Sequence, residues 1–238
     1  RVHSQHNTLA GNYIGTDVSG SLTLGNQREG IWIDDASHNT IGGPDPTAGN
    51  IISGNTLCGV YIRGAQNSVA GNYIGTNISG MAAVPNQTYG VCIYDAIANT
   101  IGSAGDEVGA NRGRNVISGN QYGGIYLGTT GIETTANAIY DNYIGTTANG
   151  VSALGNIGPG VTLENVEDNR VGYSVANLGN VIAYNQGAGI RFPGTTNLTG
   201  NQFVGNSMFA NQFGIDLGSA GVTYNDSGDY DDGANGLL

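Results

Sequence analysis

The chain has 238 residues and a formal net charge of −11, with 18 acidic side chains set against seven arginines and no lysine. That balance argues against nucleic acid as a partner, because phosphate binding needs clustered cations. Glycine reaches 42 residues without a Gly-X-Y period, which excludes collagen, and no apolar run approaches the ~18–20 residues of a bilayer-spanning helix, so membrane insertion is not expected.

In chain order, Asn7-Thr-Leu9 reads as a short strand and Gly11-Asn-Tyr-Ile-Gly-Thr16 as another. The second phrase returns unchanged at Gly71–Thr76 and with one change at Asp141–Thr146. Repetition of this kind must be read before local propensity, since it decides the architecture. Next comes Gly30-Ile-Trp-Ile33, the first of seven Gly-apolar-x-apolar strands; the others start at Gly59, Gly90, Gly124, Gly160, Gly189 and Gly214. A second type, Asn-x-apolar, starts at Asn7, Asn39, Asn67, Asn99, Asn137 and Asn169. A third carries Asn12, Asn50, Asn72, Asn115, Asn142, Asn180 and Asn201, each two residues before an Ile or Phe. Period-2 alternation in short runs bounded by Gly and Asn predicts strands, and no stretch carries the i, i+3, i+4, i+7 pattern of a helix.

Three short strands per turn, repeated about seven times, predict an all-β fold: a single-stranded right-handed parallel β-helix over residues 1–218. Levels ~4.8 Å apart make it a rod of about 35 Å. Its interior should hold aliphatic files, Ile31, Val60, Val91, Ile125, Val161 and Ile190 in one and Ile14, Ile52, Ile74, Ile117, Ile144 and Ile182 in another. Asn at the corners tolerates unusual backbone angles, and its amide can bond to the equivalent Asn of an adjacent coil. Two kinds of insertion interrupt the turns. Asp17–Gly30, Asn77–Gly90 and Thr147–Gly160 have 14 residues each and fall on alternate levels, so they should stack as a lateral ridge; Gly43–Gly49, Ser103–Arg114 and Tyr173–Gly179 fall on the levels between. Cys58 precedes its strand glycine and Cys92 follows its own by two, so the pair is out of register and no disulfide is expected.

The phrases Asn39-Thr-Ile-Gly-Gly43, Asn50-Ile-Ile-Ser-Gly-Asn55 and Gly71-Asn-Tyr-Ile-Gly-Thr76 resemble the bacterial right-handed β-helix repeat family of the pectin-lyase-like superfamily. The resemblance covers nearly the whole chain and implies the fold. It implies no single reaction, since such proteins include lyases, hydrolases, epimerases and large surface proteins. The 219–238 segment, acidic and rich in Gly and Asp, resembles one that joins a β-helix to a further module. Polygalacturonase-type enzymes carry Gly-His and Arg-x-Lys motifs. Here there is no lysine, and His3, His6 and His38 all lie near the start.

Outward positions of the first strand type carry the candidate chemistry. Trp32, Tyr61 and Tyr126, with neighbouring Tyr94, form an aromatic strip beside Asp34, Asp35, Arg63, Asp95 and Glu164. Rings that stack on sugar faces and polar groups that orient hydroxyls suit a polysaccharide, making these four rings the expected carbohydrate contacts. Tyr13, Tyr73 and Tyr143 should form a second strip on another face. Asp35 and Asp95, two coils and ~9.6 Å apart, approach the spacing of an inverting carboxylate pair, with Arg63 as base or charge neutraliser if the reaction is elimination. His3-x-x-His6 lacks a third ligand and is not read as a zinc site. Asp226, Asp229, Asp231 and Asp232 are the candidate ligands for Ca²⁺, the one cofactor suggested.

Two functions compete. The favoured expectation is a non-catalytic extracellular or cell-surface structural or adhesion module, a mature or excised piece of a longer protein. It would bind a polysaccharide or cell-surface glycan and self-associate end to end through open coil edges. The alternative is a polysaccharide hydrolase or lyase on the Trp32–Asp95 face.

Overall fold

The computed structural model describes residues 1–103, 113–174, 178–193 and 199–218, and every regular element in it is a strand. Three parallel sheets of seven strands share one axis. Sheet 2 holds β1 (Thr8–Leu9), β4 (Thr40–Gly42), β7 (Ser68–Ala70), β10 (Thr100–Gly102), β13 (Ala138–Tyr140), β16 (Arg170–Val171) and β19 (Gln202–Phe203). Sheet 3 holds β2 (Tyr13–Ile14), β5 (Ile51–Ile52), β8 (Tyr73–Ile74), β11 (Val116–Ile117), β14 (Tyr143–Ile144), β17 (Val181–Ala183) and β20 (Ser207–Phe209). Sheet 1 holds β3 (Ile31–Asp34), β6 (Val60–Arg63), β9 (Tyr89–Tyr94), β12 (Gly123–Gly128), β15 (Val161–Glu164), β18 (Ile190–Phe192) and β21 (Ile215–Leu217). Each strand pairs with the one three elements away, which is the connectivity of a three-sided parallel β-helix with seven coils.

Register places like on like. Ile31, Val60, Val91, Ile125, Val161 and Ile190 are successive Cα partners, as are Ile14, Ile52, Ile74, Ile117, Ile144 and Ile182. From Ile52 to Ile182 the second file is wholly buried. Each such side chain contributes about 1.5–3 kcal/mol, and a one-residue slip would turn the whole file to solvent.

Three asparagine ladders run beside these files. In each, the backbone or side-chain N–H of one Asn donates to the Oδ1 of the Asn one coil further along. One runs from Asn7 through Asn39, Asn67, Asn99, Asn137 and Asn169 to Asn201. The next runs from Asn12 through Asn50, Asn72, Asn115, Asn142 and Asn180 to Asn206. Asn201 therefore belongs to sheet 2 and not, as expected, to the sheet 3 series: it stands directly before β19 and accepts from Asn169, and Asn206 fills the sheet 3 place before β20. The third ladder alternates coil and insertion: Asn26, Asn55, Asn86, Asn120, Asn156, Asn185 and Asn211.

The 14-residue insertions are ordered hairpin-like loops, closed by antiparallel bridges Thr16–Thr23, Thr76–Ala83 and Thr146–Ala153. They bond to one another as well: Ile78 N–H donates to Gly20 O and Ala148 N–H to Gly80 O, both at 2.9 Å. The lateral ridge is thus part of the fold.

Cys58 and Cys92 form a disulfide, contrary to expectation. Their Cα atoms are 6.2 Å apart, well short of the ~10 Å that three extended residues cover. The chain bends at Gly59 instead of running straight into β6. That bend brings Cys58 back towards the outward position held by Tyr61 on its own level and by Cys92 on the next. Sequence offset overstated their distance because it assumed an extended approach.

Candidate functional site

The outer face of sheet 1 carries a continuous file of aromatic rings. Trp32 meets Tyr61 edge-on at 6.0 Å, Tyr61 stacks on Tyr94 at 5.5 Å, and Tyr94 leans on Tyr126 at 5.1 Å. Tyr89 and then Tyr122 extend the file at 5.1 and 5.2 Å. The four predicted rings are therefore together, joined by two that the sequence reading missed. Tyr89 lies just before Gly90, outside the Gly-apolar-x-apolar frame, and Tyr122 just before Gly123-Gly124. The recurrence of Tyr one or two residues ahead of the strand glycine was the available signal.

The rings spend much of their face area on each other and on cations. The guanidinium groups of Arg1 and Arg28 lie 4.1 and 4.6 Å from the Trp32 ring centre. Half-burial pushes the phenols of Tyr61 and Tyr94 up and that of Tyr89 to about 12. Tyr126 is raised further, by burial and by donating to Glu164 Oε2 at 2.8 Å, a bond that holds the proton on the phenol. Much of the ring surface is thus spent within the file itself.

The carboxylates beside the rings are engaged. Asp34 is buried and paired with Arg1 and, at 2.9 Å, with Arg63. The Arg1 bond, more than any other cause, holds its carboxyl below the usual range. Asp35 is exposed and accepts from Arg63 Nη2 at 2.6 Å, which in turn raises the guanidinium. Asp95 caps a loop: it accepts from the backbone N–H of Thr130 at 2.8 Å and of Gly131 and Ile132 at 3.2 Å, and from the hydroxyls of Thr129 and Thr130. Burial pushes the Asp95 carboxyl up, but these bonds outweigh it and hold the group down. Asp35, Asp95 and Asn165 occupy one corner on alternate levels with φ of 50°, 47° and 54°, a left-handed conformation that Asp and Asn adopt more readily than other non-glycine residues. The fold itself accounts for acidic residues at that spacing.

Tyr13, Tyr73 and Tyr143 lie on sheet 3 and pack beneath the lateral ridge. A Cβ at Gly20 would stand 2.7 Å from the Tyr13 ring and one at Gly80 2.8 Å from Tyr73, and Gly150 abuts Tyr143 in the same way. All three glycines have φ between 65° and 73°, so they meet two demands at once. The ridge therefore packs against the edge of this second strip, with Tyr73 and Tyr143 part-buried and Tyr13 still exposed, and the sheet 1 file lies on another side of the helix.

His6 stacks on His38 at 4.8 Å, while His3 Nδ1 lies 3.6 Å from Asp34. Among the described residues no group of three or more His, Cys, Asp or Glu is placed to hold a metal. Asp226, Asp229, Asp231 and Asp232 lie outside the described residues, as does all of 219–238. Set against known proteins, the chain matches no family model, no curated protein and no solved structure.

Proposed function

We propose that the chain is a rigid, non-catalytic module of an extracellular or cell-surface protein, akin to the right-handed β-helix repeat proteins of the pectin-lyase-like superfamily. The observation that carries this reading is the engagement of the carboxylates on the ring-bearing face. Asp34 and Asp35 hold Arg63, Asp95 holds the 129–132 loop, and Glu164 holds Tyr126. A general acid or base must reach the proton it moves, and these groups already have structural partners. The Cys58–Cys92 bond supports an oxidising compartment.

Turnover is the test. Purified chain is incubated with acidic and neutral polysaccharides, and new reducing ends and the ultraviolet absorbance of unsaturated uronates are followed. No product on any glycan is the expected result. Product formation that Asp35→Asn or Asp95→Asn abolishes would replace the structural reading with the enzymatic one.

A second role is favoured by the exposed end of the ring file. Tyr122, 62% exposed and next to Tyr89, is the ring on this face most open to a glycan, so contact there centres on Tyr122.

A further inference from the structure

Six rings stand in unbroken succession on sheet 1: Trp32, Tyr61, Tyr94, Tyr126, Tyr89 and Tyr122, with ring centres 6.0, 5.5, 5.1, 5.1 and 5.2 Å apart in turn. Indole and phenol give up one electron more readily than the aliphatic, amide and carboxylate side chains around them. The thiols that would compete are absent, since Cys58 and Cys92 are bonded to each other. Rings in contact exchange electrons, so an oxidising equivalent that enters anywhere on the file can move along it. Where it comes to rest depends on where a proton can go.

A phenol becomes a neutral radical only by giving up its proton along with its electron, and an oxidised indole is neutralised in the same way. At the Trp32 end nothing takes that proton: Nε1–H is buried and has no hydrogen-bond partner among the described residues. Tyr126 is placed differently. Among the described residues it alone in the file has its hydroxyl on a carboxylate, donating to Glu164 Oε2 at 2.8 Å. Glu164 can take the proton as that ring is oxidised and return it as the ring is reduced again. From Tyr126 the file continues through Tyr89 to Tyr122, which is 62% exposed and can release its proton to water. One end of the file is therefore closed to protons and the other is open.

We propose that the ring file carries one-electron oxidation to Tyr122, and that Tyr122 is a modification site where two copies of the chain couple as dityrosine when a peroxide is the oxidant. Two Tyr122 phenols together give up two electrons and two protons, which reduce one hydrogen peroxide to two waters. The two phenoxyl radicals then form a carbon–carbon bond between ring carbons ortho to oxygen. The hydrogen on each of those carbons moves to its own oxygen and restores both hydroxyls. This chemistry is independent of whether the face also contacts a glycan.

The test treats the full chain with hydrogen peroxide and a haem peroxidase, follows dityrosine by its fluorescence and locates it by peptide mass spectrometry. Tyr13, 45% exposed and outside the file, is the internal control. Attack from solvent alone would divide the cross-links between Tyr122 and Tyr13 in proportion to exposure, 62% to 45%. Delivery through the file is expected to favour Tyr122 severalfold. Tyr89→Phe keeps a ring in the stack but not a phenol, and Glu164→Gln keeps a partner for Tyr126 but not a base. Each is expected to bring the Tyr122 yield down to the level of Tyr13, and the thermal transition reports that each variant folds. The proposal is overturned if no dityrosine forms, if Tyr122 and Tyr13 react in proportion to exposure, or if either folded variant cross-links at Tyr122 like the parent.

Discussion

Replacing Asn115 with alanine is the sharpest probe of what holds the coils in register. Asn115 is wholly buried in the middle of its ladder. Its Oδ1 accepts from Asn72 N at 2.9 Å and Asn72 Nδ2 at 3.0 Å; its Nδ2 donates to Val69 O at 2.8 Å and Asn142 Oδ1 at 2.9 Å. Alanine removes four bonds and strands their partners where water cannot reach. At a net ~1 kcal/mol per bond, with a further penalty for buried groups left unpaired, the loss is about 3–5 kcal/mol. Asn7→Ala is the control: Asn7 is half-exposed, and its bonds to Asn39 are donated from the end of a ladder, so about 1 kcal/mol or less is expected. Because a stacked array need not unfold in one step, the urea midpoint should be read together with amide exchange. Asn115→Ala should lower the midpoint strongly and speed exchange at Asn72 by about a hundredfold or more, while Asn7→Ala leaves Asn72 protected. Equal effects from the two substitutions would refute a ladder that gains its strength from burial.

Two further outcomes follow from the disulfide and the first lateral loop. Reduction of Cys58–Cys92, or Cys58→Ser, should destabilise the chain by about 3–4 kcal/mol on the loop-entropy estimate for a 34-residue separation, seen as a lower melting temperature with dithiothreitol; an unchanged transition would show that this link contributes nothing to stability. Asp17 accepts from Ser21 N, Leu22 N and the Ser19 hydroxyl, and these bonds, led by Leu22, hold its carboxyl at about 2 instead of 3.8. A depressed carboxyl favours the folded loop above its unfolded value, and that contribution is lost as pH falls from about 3.8 through about 2. Asp17→Asn should keep the loop, since Asn77 makes the same bonds to Met81 N and Ala82 N, and should remove the acid dependence. Titration of Asp17 at 3.8 in a carbon-detected spectrum would contradict the capping role.

The architecture was legible because each coil repeats the same few contacts, so a period in the sequence is a contact in space. Ile52, Ile74 and Ile117 fall into one file for that reason. Legibility failed where the chain bends between strands. Cys58 was placed by counting residues along a line it does not follow, and Asn201 was assigned by its spacing to Phe203 alone. The third ladder was half-visible: Asn55, Asn120 and Asn185 stood in the repeat, whereas Asn26, Asn86 and Asn156 sit inside insertions that seemed to have left the coil. Trp32, Tyr61, Tyr94 and Tyr126 were placed on one face, but spacing along a strand does not reveal that the rings pack on one another and on Arg1 and Arg28. Nor does it reveal that the Asp35 and Asp95 spacing arises from a left-handed corner.

The amides of all three ladders are oriented alike, each donating to the Asn Oδ1 of the coil that follows and receiving on its own Oδ1 from the Asn of the coil before, while Nδ2 also reaches back to a carbonyl of the preceding coil. Their carbonyl dipoles add along the axis and give the shaft a direction. Any coil that continues the ladders must enter in the same sense, head to tail, because a coil turned about would set acceptor against acceptor.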